Sequence, residues 1–325
     1  MLLFNVALLI VGFVALVKGA DFFVDGSSAL AKIFKVSGVI IGLTVVSMGT
    51  SLPELAVSTS AAIAGSNEIA LSNVVGSNIF NLLVVLGVCA VIHRVPVDSV
   101  IIKRDFPISI LIALVVFCVT GLPAIIQGKL ATLTMADNAG MVYRALGISL
   151  LVMFVCYIAY LIYDAKKHPS EEDAIKSMPL FKCVLLIIIG IALIILGGQV
   201  VVESAKFIAK TFGMTETLIG LTVVAIGTSL PELVTSIVAA RKGEVEMAVG
   251  NVVGSNIFNI LFILGVSTSI HPIAVNTASV YDMMILIAVS LMTWGFAIKG
   301  KSIGRLGGAI MLLCYIASTT FAILR

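Results

Sequence analysis

The chain has 325 residues, 60% of them hydrophobic and 11% charged, with a net charge of +3 and a mean hydropathy of +1.20. Soluble globular chains run nearer about 45–50% apolar and about 25% charged, because they need a wetted, charged surface. A water-soluble enzyme, a nucleic-acid binder and a disordered chain are therefore excluded, and the sequence reads as an all-α polytopic membrane protein.

Apolar runs bounded by Gly, Pro or charge fall at 2–25, 38–63, 69–92, 106–122 and 141–163, then at 181–203, 216–240, 245–270, 280–298 and 303–324. Most approach the ~20 residues a helical span needs and far exceed the ~9–11 alternating residues of a barrel strand. The pattern predicts ten transmembrane helices. The first run has the look of a signal peptide, but no positive residue precedes it and it has a counterpart deep inside the chain, so it is read as a span. With ten spans, one side of the membrane collects fourteen Lys and Arg in its loops and the other five. The richer side belongs in the cytoplasm. An integral cell-membrane protein, inner or plasma, is expected, with both termini outside and the central loop cytoplasmic. That loop, 164–180, is polar and carries Pro169 and Pro179. It reads as the linker between residues 1–163 and 181–325.

The decisive pattern is internal. Residues 42–81 and 220–259 share twenty-seven of forty positions without a gap, at an offset of 178. The same offset pairs Gly12 with Gly190, Gly19 with Gly197, Gly87 with Gly265 and His93 with His271. The chain is two homologous halves of five helices each. Five is odd, so the second half is expected to enter the membrane upside down. Such inverted-topology repeats are how many secondary transporters build two access routes to one site.

Of seventeen acidic residues, Glu54 and Glu232 are read as the two well inside apolar runs, both ending the motif Gly-Thr-Ser-Leu-Pro-Glu. An ionised carboxylate at the bilayer centre costs about 2.5–3.5 kcal/mol even on the lenient scale, which marks both as functional. Pro53 and Pro231 lack an N–H, so the carbonyls of Gly49 and Gly227 lose their helical donors and the helix should break or kink. Freed carbonyls at membrane depth need a partner, such as a bound cation. Thr50 and Ser51 lie at i−4 and i−3 from Glu54, where their oxygens can share its face, and Thr228 and Ser229 stand likewise to Glu232. Thr44, Ser58 and Ser236 read instead as hydroxyls bonding backward to the backbone.

The next helix of each half carries one polar stripe: Asn73, Ser77 and Asn81, then Asn251, Ser255 and Asn259. Asn73, Asn251, Asn78 and Asn256 read as interhelical hydrogen-bond glue. Ser77, Asn81, Ser255 and Asn259 lie nearer mid-span and read as ligands. Every candidate oxygen is hard, and no Cys or His joins the cluster, so zinc, copper and iron fit poorly. Five cysteines (Cys89, Cys118, Cys156, Cys183 and Cys314) read as small buried hydrophobes. Two carboxylates and the helix-break carbonyls approach the ~6–8 oxygens calcium prefers, with charge to match, and magnesium wants a tighter, wetter octahedron.

The paired GTSLPE and GSNIFN blocks resemble the alpha repeats of the calcium/cation antiporter superfamily, specifically its prokaryotic sodium/calcium exchangers, over essentially the whole chain. The resemblance implies ten helices in inverted five-helix halves with ions at the centre of four core helices. It implies calcium ligation by Glu54, Glu232, Thr50 and Thr228. It implies sodium sites using backbone oxygens of Ser47 and Ala225 with Ser51, Ser229, Ser77 and Ser255, and Asn81 and Asn259 at the middle of the cluster. Some relatives carry Asp at one of these last two positions; both are Asn here, which bears on stoichiometry and potassium involvement. A 17-residue linker has no room for the large calcium-sensing domains of animal relatives.

The expected function is sodium/calcium antiport by alternating access. The alternative is a calcium/proton, or potassium-dependent, antiporter of the same fold. An intramembrane hydrolase is disfavoured, since neither HExxH nor GxSxG occurs. The ions are cargo; neither a cofactor nor a protein partner is implied, and the bilayer is the one other expected contact.

Overall fold

The computed structural model describes residues 1–65, 67–128, 133–169, 178–214 and 225–325. The middle of the linker (170–177) and the GLTVV segment of the second repeat (220–224) lie outside the described residues, as does the start of the expected 216–240 span. The described chain is mostly helical. Seven of its helices are long and apolar enough to cross a membrane, or eight if one bent pair counts as a single span.

Several spans differ from their sequence bounds. The first runs over Leu2–Phe34 and the sixth over Leu180–Thr211, roughly 50 Å each at 1.5 Å per residue. The expected 38–63 span is the bent pair Gly38–Thr50 and Leu52–Ile63, angled by 50°. The expected 106–122 span is an α-helix over Phe106–Thr120, preceded by a π-helical turn over Ile101–Asp105. On the other five of the seven long helices, Ile69–Ile92 and Val245–Ile270 being mostly buried, many Leu, Ile, Val and Phe side chains remain exposed. Water would not tolerate that much apolar surface; lipid does.

The chain divides into two compact units, residues 1–53 with 162–252 and residues 54–161 with 253–325, so each draws on both halves of the sequence. In the first unit, Leu2–Phe34 packs along Leu180–Thr211 through small residues. A Cβ on Gly19 would sit 2.8 Å from the Ile194 nitrogen, and one on Gly190 would sit 2.7 Å from the Phe23 nitrogen. Apolar side chains gain nothing from meeting each other in lipid, so close backbone approach has to supply the attraction. Leu16, Phe23, Ile194 and Met247 fill the core. Lys242 reaches Asp25 at 2.7 Å and Asp21 at 3.5 Å, tying the end of Leu230–Arg241 to the first helix.

The second unit contains two short antiparallel ribbons that the sequence reading missed. Val95–Pro96 pairs with Ser302–Ile303, and Asn138–Val142 pairs with Ile273–Asn276. Val95 and Ile273 are equivalent under the 178-residue offset. The ribbons are therefore reciprocal: the segment after the third helix of either half pairs with the loop before the last helix of the other.

Asp105 corrects the count of buried acids. It is fully buried, yet the sequence reading began its run one residue later. Arg104 donates to it at 2.9 and 3.1 Å, and the Tyr157 hydroxyl donates at 3.0 Å. Its charge is thus neutralised locally, and Asp105 staples two helices instead of facing an ion.

Candidate functional site

Each GTSLPE motif breaks its helix at the same residue. Ser51 adopts φ −86°, ψ 11° and Ser229 adopts φ −94°, ψ 6°. The last helical bond before the first break runs from the Ser51 nitrogen to the Ser47 carbonyl at 3.1 Å. Two residues on, Pro53 cannot donate to the Gly49 carbonyl, as the sequence requires.

In the first unit this break delivers a side chain of the first half to the carboxylate of the second. The Ser51 hydroxyl donates to Glu232 Oε1 at 2.8 Å. This partner was not legible from helical spacing, which placed Ser51 with Glu54. Glu232 Oε2 is buried and has no hydrogen-bond partner among the described residues. Thr50 Oγ1 lies 3.1 Å from Asn251 Oδ1 and 3.3 Å from the Ser47 carbonyl. Ser47, Thr50, Ser51, Ser229 and Glu232 are all buried, and Thr228 is partly so. Ala225 opens the short helix Ala225–Thr228. Thr44 bonds back to the Ile40 carbonyl at 2.6 Å, as expected.

In the second unit Glu54 is fully buried, and Ser77 donates to its Oε1 at 3.4 Å. The Asn73 amide nitrogen lies 2.9 Å from Ser58 Oγ and 3.3 Å from the Glu54 carbonyl. Asn251 repeats the pattern in the first unit, its nitrogen 3.0 Å from Ser236 Oγ. Ser58 and Ser236 are therefore amide partners, a role the sequence reading did not give them.

The four GSNIFN asparagines of the second unit form a reciprocal quartet. Asn78 donates to the Asn256 carbonyl at 3.1 Å, and Asn256 returns the bond to the Asn78 carbonyl at 3.2 Å. Asn81 donates to Asn256 Oδ1 at 3.2 Å, and Asn259 to Asn78 Oδ1 at 2.9 Å. These bonds engage the amide nitrogens of Asn81 and Asn259 and leave their oxygens facing away from the quartet's donors. Their oxygens stay buried with no hydrogen-bond partner among the described residues. Ser255 is fully buried beside them in sequence. Both helices change to π-helical winding at this point, over Asn81–Val85 and Asn259–Leu264. Such π turns often mark functional positions, and no sequence signal short of the repeat announces them.

The chemistry is that of hard, partly unsatisfied oxygens. A buried oxygen without a donor costs about 1–3 kcal/mol, more if charged, unless something compensates it. Among the described residues no three His, Cys, Asp or Glu gather into a group that could hold a metal. Carboxylate, amide and hydroxyl oxygens of this kind are the hard donors that suit cations such as sodium and calcium.

Comparison with known proteins agrees. The family described as "Sodium/calcium exchanger protein" matches residues 4–163 and 182–324. The chain belongs to the sodium/calcium exchanger family. It is a cation/calcium antiporter of the calcium/cation antiporter superfamily and not an enzyme. It is 37% identical to the putative antiporter CaxA of Alkalimonas amylolytica, over 94% of this chain and 95% of that one. It is 32% identical to the sodium/calcium exchanger MaX1 of Methanosarcina acetivorans, over 98% of each. A solved structure of the sodium-calcium exchanger NCX_Mj, soaked with zero Na+ and Ca2+, superposes with a TM-score of 0.81 at 32% identity, covering all of both chains. The exchanger fold is thus shared across the whole length.

Proposed function

We propose that this exchanger moves calcium against sodium by alternating access. Ten spans form two inverted five-helix repeats in the cell membrane, with the termini outside and the central loop in the cytoplasm. The observation that carries the reading is the buried, unpartnered oxygens on Glu232 in the first unit and on Asn81 and Asn259 in the second, each of a kind that a desolvated cation would satisfy. Glu54 and Glu232 supply the two negative charges calcium requires, with Thr50 and Thr228 completing its shell. Ser51, Ser229, Ser77 and Ser255, the backbone oxygens of Ser47 and Ala225, and the amide oxygens of Asn81 and Asn259 serve sodium. The two ions compete for common carboxylates, so one leaves before the other enters. The reciprocal ribbons and the asparagine quartet support a pseudo-twofold relation between the halves, as inverted repeats require.

Equilibrium calcium binding to the purified protein tests this. Sodium should displace bound calcium at fixed pH, more steeply than a single competing ion would, and potassium at equal ionic strength should not. Displacement by protons with no effect of sodium would assign the protein to calcium/proton exchange.

Orientation is tested separately, in a cysteine-free background. Thiol reagents applied from outside should label a cysteine near either terminus and miss one at position 170. Labelling of both from the same side would contradict the inverted repeat.

A further inference from the structure

We propose that Lys242 and Glu244 form a one-sided latch, which holds the cytoplasmic face of the transporter closed and parts when that face opens. The proposal rests on the alternating access and the orientation inferred above.

The turn 242–244 follows Leu230–Arg241, and its side chains reach Leu2–Phe34 within the first unit. The Lys242 ammonium meets Asp25 at 2.7 Å, the Asp21 carboxylate at 3.5 Å and the Asp21 backbone carbonyl at 3.0 Å. Its three donors thus find three oxygens on one helix. The Ser28 hydroxyl donates to Glu244. Asp21, Asp25 and Ser28 are spaced by four and three, so they share one face of the first helix. The turn is strapped along that face.

The repeat shows the same face without a strap. At the 178-residue offset Asp21, Asp25, Ser28 and Lys32 become Gln199, Glu203, Lys206 and Lys210 on Leu180–Thr211. These four line a cavity of about 590 Å³. Glu203 is exposed and takes its cation from its own helix, Lys206 at 2.7 Å. The two helices run antiparallel, Gly26 against Cys183 and Gly12 against Gly197, so the strapped face and the cavity lie at opposite ends of the pair. At the positions equivalent to Lys242 and Glu244 stand Ala64 and Ser66, neither of which can form an ion pair. In an inverted repeat, the states open to either side correspond with the arrangements of the halves exchanged. The first helix then loses its strap when its own end opens, and no equivalent charges latch the other end. The latch therefore stabilises one state alone, the one closed to the cytoplasm.

A cysteine placed at Ala239 in the cysteine-free protein reports the opening. Ala239 is 1% exposed and belongs to the core that Leu230–Arg241 shares with the first helix. In inside-out vesicles a thiol reagent should label it about fivefold faster in Lys242→Ala, since partly exposed pairs acting together bias a two-state equilibrium by about that much. Asp25→Asn should act in the same direction. The double variant should be no more than about twofold faster than Lys242→Ala, because both changes cut one latch. A second cysteine at Ser204, which lines the cavity at the other end, should label from outside no faster in any variant. Wild-type labelling rates at position 239 in both single variants would overturn the proposal. So would faster labelling at both 239 and 204, which marks general loosening, or a double variant at the product of the single effects. Two further results are seen before the latch is cut. Labelling at 239 from the outside face alone would overturn the orientation and with it the side of the latch, and wild-type protein that binds no calcium would overturn the exchanger reading itself.

Discussion

Glu54→Gln and Glu232→Gln should each abolish calcium exchange. Glutamine keeps the shape of glutamate and can still accept the Ser51 hydroxyl that Glu232 receives at 2.8 Å, so folding and insertion should survive. What is lost is one of the two negative charges that the proposed function assigns to calcium, and each carboxylate is essentially inaccessible to solvent. A divalent cation then leaves half its charge uncompensated, and water cannot screen the deficit. Calcium affinity should fall at least about a hundredfold, since tenfold corresponds to only 1.4 kcal/mol. Sodium affinity should fall less, about tenfold, because hydroxyl, amide and backbone oxygens remain. Radioactive calcium flux into vesicles and equilibrium binding of both ions read the difference. Wild-type calcium exchange in either variant would show that the two carboxylates do not share one task.

The second large effect is expected where Gly38–Thr50 crosses the start of Val245–Ile270 in the first unit. A Cβ on Gly42 would lie 2.6 Å from the Met247 carbonyl oxygen and 2.9 Å from the Gly250 Cα. A Cβ on Gly250 would lie 2.7 Å from the Val39 carbonyl oxygen. The obstructing atoms are backbone, so no rotamer change relieves the clash and the helices must part. Such overpacking costs about 1–3 kcal/mol. Gly250 also adjoins Asn251, the partner of Thr50, so displacement reaches the ion ligands. Gly42→Ala and Gly250→Ala should each lower Tm by several degrees and weaken calcium binding severalfold. Gly76→Ala is the control: nothing lies within 4 Å of its added Cβ, and Tm should hold or rise slightly with helix propensity. An unchanged Tm in Gly250→Ala would contradict the close crossing.

The helix breaks were legible because proline and glycine act locally. Pro53 forbids a bond wherever the helix goes, and Ser51 and Ser229 adopt the same bridge conformation as a result. The unpaired oxygens of Asn81 and Asn259 were legible as candidate ligands because a polar stripe on an apolar helix has few uses. The partners of those residues were not. Ser51 meets Glu232 across 181 positions of sequence, and helical spacing reports only neighbours one turn away. Asp105 was missed for a related reason: apolar windows cannot see a π turn that buries Asp105 beside a half-buried Arg104 while Lys103 stays exposed. The ribbons at Val95 and Ile273 are too short to show alternation. Only the repeat, read together with the pairing, explains why there are two of them.

The central claim is that sodium drives calcium. Purified protein in sodium-loaded vesicles, diluted into sodium-free medium containing calcium, tests it most directly. A proton ionophore is present and pH is equal on both sides. The account predicts calcium uptake that rises with the outward sodium gradient and vanishes when a sodium ionophore collapses it. Uptake that ignores sodium and follows an imposed pH gradient, once the proton ionophore is omitted, would contradict it.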